Sequence, residues 1–97
     1  MIFENLFCKD GRELEGLKLI KHEVNYDNRG LFVENWNKYK FEKVLGESIN
    51  FFQLNQSRSF KGVLRGLHYQ LEPHSQGKLI KCLSGKIFDV VVDIRRT

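Results

Sequence analysis

In the stretch Gly62-Val63-Leu64-Arg65-Gly66-Leu67-His68-Tyr69-Gln70, and again at Gly77-Lys78, an arginine, a histidine and a lysine stand among glycines and apolar residues of strand-like sequence. Cations so placed make a poor core, because burying a charge without a matching carboxylate is costly. They suit instead the wall of a pocket for an anionic ligand. Histidine takes up and releases protons near neutral pH, and an ammonium at a strand mouth can reach into a cavity. Residues of these types together point to proton transfer beside an anion-binding group. Strict alternation would put Arg65 and His68 on opposite faces of a strand. Gly66 lies between them, and a bulge there would shift the parity and bring both to one side.

Two further groups have chemistry-bearing spacing. Asp27-Asn28-Arg29-Gly30 is followed by Phe32 and Glu34, two apart on one strand face. A ring that stacks on a base, a carboxylate that accepts from base N–H groups and an arginine that meets phosphate would make a nucleotide site. The plainer reading is a solvated turn leading into a half-buried strand. Phe51, Gln53 and Asn55 repeat the theme with two amides, which read the edge of a planar ring or satisfy each other and the backbone. Asp89 is placed to balance Lys78 or orient His68, while Asp93 fits a surface role beside Arg95 and Arg96.

The elements that must position these groups read as mostly β. Leu17 to Val24 predicts an early strand ending at turn chemistry in Asn25-Tyr26-Asp27-Asn28-Arg29-Gly30. Leu31 to Trp36 predicts a strand with Phe32, Glu34 and Trp36 on one face. Phe41, Val44 and Leu45 stand at helical spacing, with Asn37 as N-cap and Gly46 as stop, so one short peripheral helix is expected. Strands then follow at Phe51 to Gln56, Gly62 to Gln70, Lys78 to Leu83 and Ile87 to Ile94, separated by turns. Short spacing between turns favours a sandwich or jelly roll over a parallel sheet.

Composition narrows the setting. A chain of 97 residues is one domain at most, and 41% hydrophobic with 29% charged residues is the balance of a folded one. The net charge of +4 is spread along the chain, and no basic helix or stacking platform argues for nucleic acid. Cys8 and Cys82 have no metal-knuckle or redox spacing and read as free thiols. His68 and His74 lack the further ligands a metal centre needs, so no metal is expected. No leader or bilayer-spanning segment is evident, and a soluble cytoplasmic protein is the expected placement.

Taken in order, Asp27 through Glu34, Gln53 through Ser59, Gly62 through Gln70, Gln76 through Leu79 and Asp89 through Arg95 closely resemble the dTDP-4-dehydrorhamnose 3,5-epimerases. The resemblance runs from about Leu17 to Thr97. It implies an all-β, cupin-like jelly roll (a double-stranded β-helix), a homodimer, and a reaction without metal or cofactor. The substrate would be a dTDP-4-keto-6-deoxy-hexose, epimerised at C3 and C5 on the route to dTDP-L-rhamnose.

By the same resemblance His68 would remove the protons, and Lys78 would stabilise the enolate oxygen at C4. Arg65 and Arg29 would hold the diphosphate, one of them reaching in from the partner subunit, and Phe32, Glu34, Gln53 and Asn55 would surround the thymidine. Relatives that invert one carbon share these motifs, so a C3 or C5 epimerase is an alternative. So is a nucleotide-sugar-binding module without catalysis, because the chain reaches only about halfway along a typical member. The family's proton-donating tyrosine and the aspartate paired with its histidine lie in the other half. Residues 1–97 are therefore expected to form a single cupin-like domain truncated at its C-terminal side, an incomplete barrel with open edges and uncovered apolar surface.

Overall fold

In the computed structural model, which describes residues 1–95, the chain divides into two units, Met1–Leu54 and Asn55–Thr97. The first opens with an antiparallel hairpin of β1 (Ile2–Phe7) and β2 (Glu13–Lys21). Phe3 pairs with Ile20, and directly opposed residues share a face, so the two side chains form one apolar patch. Glu4 and Lys21 occupy the other face and meet at 2.9 Å. The chain reverses through backbone bonds from Cys8 N–H to the Arg12 carbonyl (2.7 Å) and from Gly11 N–H to the Cys8 carbonyl (3.0 Å). The register shifts between Asn5 and Phe7, opposite the part of β2 where Gly16 takes a φ of +83°.

The second hairpin pairs β3 (Val24–Asp27) with β4 (Gly30–Val33). Its two-residue turn is held by Asp27, whose Oδ1 accepts the Arg29 backbone N–H at 2.8 Å, the local bond that makes aspartate a turn residue. The expected strand from Leu17 thus begins earlier, at Glu13, and ends at Lys21, with Val24 starting a separate strand. The strand expected over Leu31 to Trp36 also stops short, at Val33. Period-two alternation consequently does not carry Trp36 onto the Phe32 face.

Helix α1 (Lys38–Leu45) forms where the spacing predicts it. Asn37 caps it, its Oδ1 accepting from the Lys40 backbone N–H at 3.1 Å. Gly46 ends it in the left-handed region at φ +72°, its N–H donating to the Glu42 carbonyl at 2.8 Å. Phe41 is the one hydrophobic residue buried among those described, at 3% exposure. It stacks edge-on to Phe3 with ring centres 5.1 Å apart and lies 4.4 Å from Trp36, which in turn meets Phe51 at 4.8 Å. This aromatic chain is the core of the first unit, and Glu42 secures the segment that follows the helix by accepting the Ile49 N–H at 3.0 Å.

In the second unit the described residues form no paired strand. The strands expected at Phe51 to Gln56, Gly62 to Gln70, Lys78 to Leu83 and Ile87 to Ile94 are therefore not present as ladders. A strand exists only when another strand takes up its backbone N–H and C=O groups. Among the described residues here the backbone closes local turns, Val63 N–H donating to the Phe60 carbonyl at 3.2 Å and His74 N–H to the Leu71 carbonyl at 2.8 Å. Apolar side chains are correspondingly uncovered, with Leu64 90% and Phe88 93% exposed. The architecture is one of strands with a single short helix, and no closed barrel forms among the described residues. Among them no helix is long and apolar enough to cross a membrane. Arg96, expected beside Asp93 at the surface, lies outside the described residues.

Candidate functional site

The β3–β4 register places Asn25 opposite Phe32, and continuing it places Glu23 opposite Glu34. These four residues share one face, and together with Met1 and Lys40 they line an open hollow of about 230 Å³. Phe32 and Glu34 are thus brought together as their spacing predicts. Lys40 Nζ approaches Glu34 Oε1 at 3.0 Å, and Asn37 Nδ2 approaches Oε2 at 3.4 Å. The two donors, Lys40 first, hold the Glu34 carboxyl below the usual carboxylate range. Lys40 was not among the expected site residues. It stands six positions from Glu34, a spacing no single strand or helix brings together, and it arrives because the chain turns directly from β4 into α1.

Arg29 sits at the tip of the hairpin and turns back on Asp27, with Nη2 2.6 Å and Nε 3.1 Å from Oδ2. This fork lowers the Asp27 pKa and raises that of Arg29. Gln53 is exposed and, among the described residues, makes no hydrogen bond. Trp36, Lys38, Asn50, Phe51 and Phe52 line a second open hollow of about 210 Å³ in the same unit.

The remaining expected site residues belong to the second unit. Arg65 is held by its own segment, Nε donating to Ser59 Oγ at 2.8 Å and Nη2 to the Arg58 carbonyl at 3.3 Å. Gly66 does not form the expected bulge, because there is no ladder for an extra residue to interrupt. It takes a φ of +105° instead, which breaks the extended run between Arg65 and His68. A Cβ built on Gly66 would lie 3.5 Å from His68 Nδ1, so the backbone passes close to the imidazole. Asn55, His68, Lys78 and Asp89 are exposed, and among the described residues none of them makes a hydrogen bond or ion pair. Asp89 accordingly reaches neither His68 nor Lys78. No group of three His, Cys, Asp or Glu among the described residues is arranged to hold a metal ion.

Comparison with known proteins places these groups in context. Residues 11–97 match the family model for dTDP-4-dehydrorhamnose 3,5-epimerase. The chain is 49% identical over 85 residues to the Shigella flexneri protein of that name, covering 88% of this chain and 47% of the relative. It is 47% identical over 83 residues to the Escherichia coli K12 protein, covering 86% and 45%. With the Pseudomonas aeruginosa protein it shares 49% identity over 78 residues, covering 80% and 42%. The chain thus spans about half the length of the curated relatives it matches. No solved structure matches it.

Proposed function

This chain belongs to the dTDP-4-dehydrorhamnose 3,5-epimerase family, and we propose that it acts in epimerising dTDP-4-dehydro-6-deoxy-D-glucose at C3 and C5, in dTDP-L-rhamnose biosynthesis. The observation that carries this reading is the family match across residues 11–97, which takes in Arg65, His68 and Lys78. Both inverted carbons flank the C4 ketone, so loss of a proton from either leaves an electron pair shared with the C4 oxygen. His68 is the base that takes each proton. Its imidazole is open to an incoming C–H, since no described neighbour occupies it. Lys78 supplies the positive charge that stabilises the enolate oxygen, a contribution whose removal typically costs about a hundred- to a thousandfold in rate. Return of a proton to the opposite face of each carbon inverts it, and with protons balanced in this way no cofactor is consumed.

Arg65 and Arg29 hold the diphosphate, and Phe32, Glu34, Gln53 and Asn55 surround the thymidine. Phe32 and Glu34 on one wall of the first hollow support the base assignment. We read the whole as one cupin-like jelly-roll domain of a cytoplasmic homodimer. Segments 62–70, 78–83 and 87–94 are strands that pair in that assembly, a view supported by their alternating sequence and uncovered apolar side chains.

One second reading is a module that binds the nucleotide sugar without turning it over, favoured by the second unit, where among the described residues His68 and Lys78 make no hydrogen bond or ion pair. Product analysis separates the readings. Incubation with dTDP-4-dehydro-6-deoxy-D-glucose should give the product inverted at both carbons, identified by NMR of the sugar ring. Inversion at one carbon would make it a single-carbon epimerase, and binding with no inversion would leave the binding module.

A further inference from the structure

We propose that the first turn of α1 is a positioning device for the base-reading carboxylate, with Asn37 and Lys40 fixing the plane of Glu34 so that it meets a pyrimidine imide N–H over Phe32. The inference rests on the nucleotide reading of this hollow and adds two residues that act through Glu34.

Three observations carry it. First, the two donors address different oxygens, Lys40 Nζ at Oε1 (3.0 Å) and Asn37 Nδ2 at Oε2 (3.4 Å). A carboxylate held at one oxygen can still rotate, whereas one held at both cannot. Each oxygen of an ionised carboxylate has two acceptor sites, so one on each remains for a ligand. Second, Asn37 uses both ends of its amide, because Oδ1 caps the helix through the Lys40 N–H at 3.1 Å while Nδ2 donates to Glu34. Forming the helix and orienting the carboxylate are therefore one event. Third, Lys40 and Glu34 line the same hollow as Phe32, so the clamp lies beside the ring on which a base would stack.

The charged groups facing Glu34 are few. Lys40 comes from α1, Glu23 from the residue just before β3, and the amino group of Met1 from the residue before β1. Lys40 balances one of the two carboxylates, which leaves Glu34 ionised as an acceptor for an N–H. Cytosine presents an unprotonated ring nitrogen where thymine and uracil carry the imide N–H, so the clamped carboxylate selects against it.

The test uses the whole chain with dTDP as probe. Calorimetry measures its affinity across pH, and carbon NMR follows the Glu34 carboxyl without ligand. Lys40→Met should raise the Glu34 titration midpoint toward the ordinary glutamate range and weaken dTDP by about two- to fivefold, the scale of an exposed pair. Acid loss of binding should then set in at higher pH than in the unaltered chain. Asn37→Ser keeps a capping hydroxyl but removes the amide donor, and should weaken dTDP while far-UV circular dichroism stays unchanged. Lys40→Arg should restore both readouts. If Lys40→Met moves neither the midpoint nor the affinity, or moves the midpoint alone, the positioning role is overturned. If the unaltered chain fails to bind dTDP, the nucleotide reading falls and this role with it, an outcome distinct from unaltered binding in both variants.

Discussion

Among the described residues, Met1–Leu54 holds the four paired strands, the helix and the buried Phe41, whereas Asn55–Thr97 holds Arg65, His68 and Lys78 and no paired strand. Both regions carry alternating apolar sequence. The difference lies in what closes the pairing. In the first region two short reversals, at Cys8–Arg12 and Asp27–Gly30, fold each strand back on its neighbour. In the second, turns form but return no strand to ladder distance, and the apolar faces stay in solvent. Local contacts, by contrast, occur in both. An aspartate grips the arginine two residues on at Asp10–Arg12, Asp27–Arg29 and Asp93–Arg95.

Substitution of His68 removes the proposed chemistry from the second region and leaves the residues of the first in place. His68→Ala should lower exchange of the sugar C3 and C5 protons by about a hundred- to ten-thousandfold, the usual worth of a general base. Nucleotide affinity should stay within several-fold, because Phe32, Glu34 and Gln53 are in the first region and His68 is not among the base-reading residues. A large loss of affinity would make His68 a binding residue and dissolve the division of labour.

A smaller effect is expected at the core. Phe41→Ala removes the ring that joins Phe3 to Trp36, and should cost the first region about 3 kcal/mol. Urea unfolding followed by the emission of Trp36, the single tryptophan, checks this. An unchanged midpoint would mean that the aromatic chain does not hold the region together.

The smallest effect tests the local contacts. Arg95 hydrogen bonds lower the Asp93 carboxyl to about 2 from an ordinary 3.8. Because the folded value is depressed, the contribution is complete above about 3.8 and is lost as the pH falls through about 2. Carbon NMR of the Asp93 carboxyl should show the low midpoint, and Arg95→Ala should return it to the ordinary range. A midpoint already ordinary in the unaltered chain would remove the parallel between the regions.

What could be read from the sequence follows the same line between local and distant. Helix α1 was legible to the residue, because Asn37, the Phe41-Val44-Leu45 spacing and Gly46 are all local signals. The second hairpin's reversal was legible only in part, because turn chemistry spans residues 25–30 in the sequence whereas Asn25, Tyr26 and Asp27 belong to β3 and the turn itself is confined to Asp27–Gly30. Strand β1 was not legible, since its alternation is interrupted by the register shift between Asn5 and Phe7. The segments from Gly62 onward read as strands because side-chain pattern records only which faces are apolar, and pairing depends on a partner elsewhere. At the site, Phe32 and Glu34 were legible through period two. Lys40 was hidden because its approach to Glu34 depends on how β4 hands over to α1.

The most direct test of the central claim, that the second region carries proton chemistry beside a ketone, is exchange in heavy water. The purified chain is incubated with dTDP-4-dehydro-6-deoxy-D-glucose in D₂O, and deuterium at C3 and C5 is read by NMR and mass spectrometry. Exchange can proceed with the base alone, so deuterium should appear at both carbons even where inversion is slow. Binding of the nucleotide sugar with no deuterium at either carbon would contradict the account.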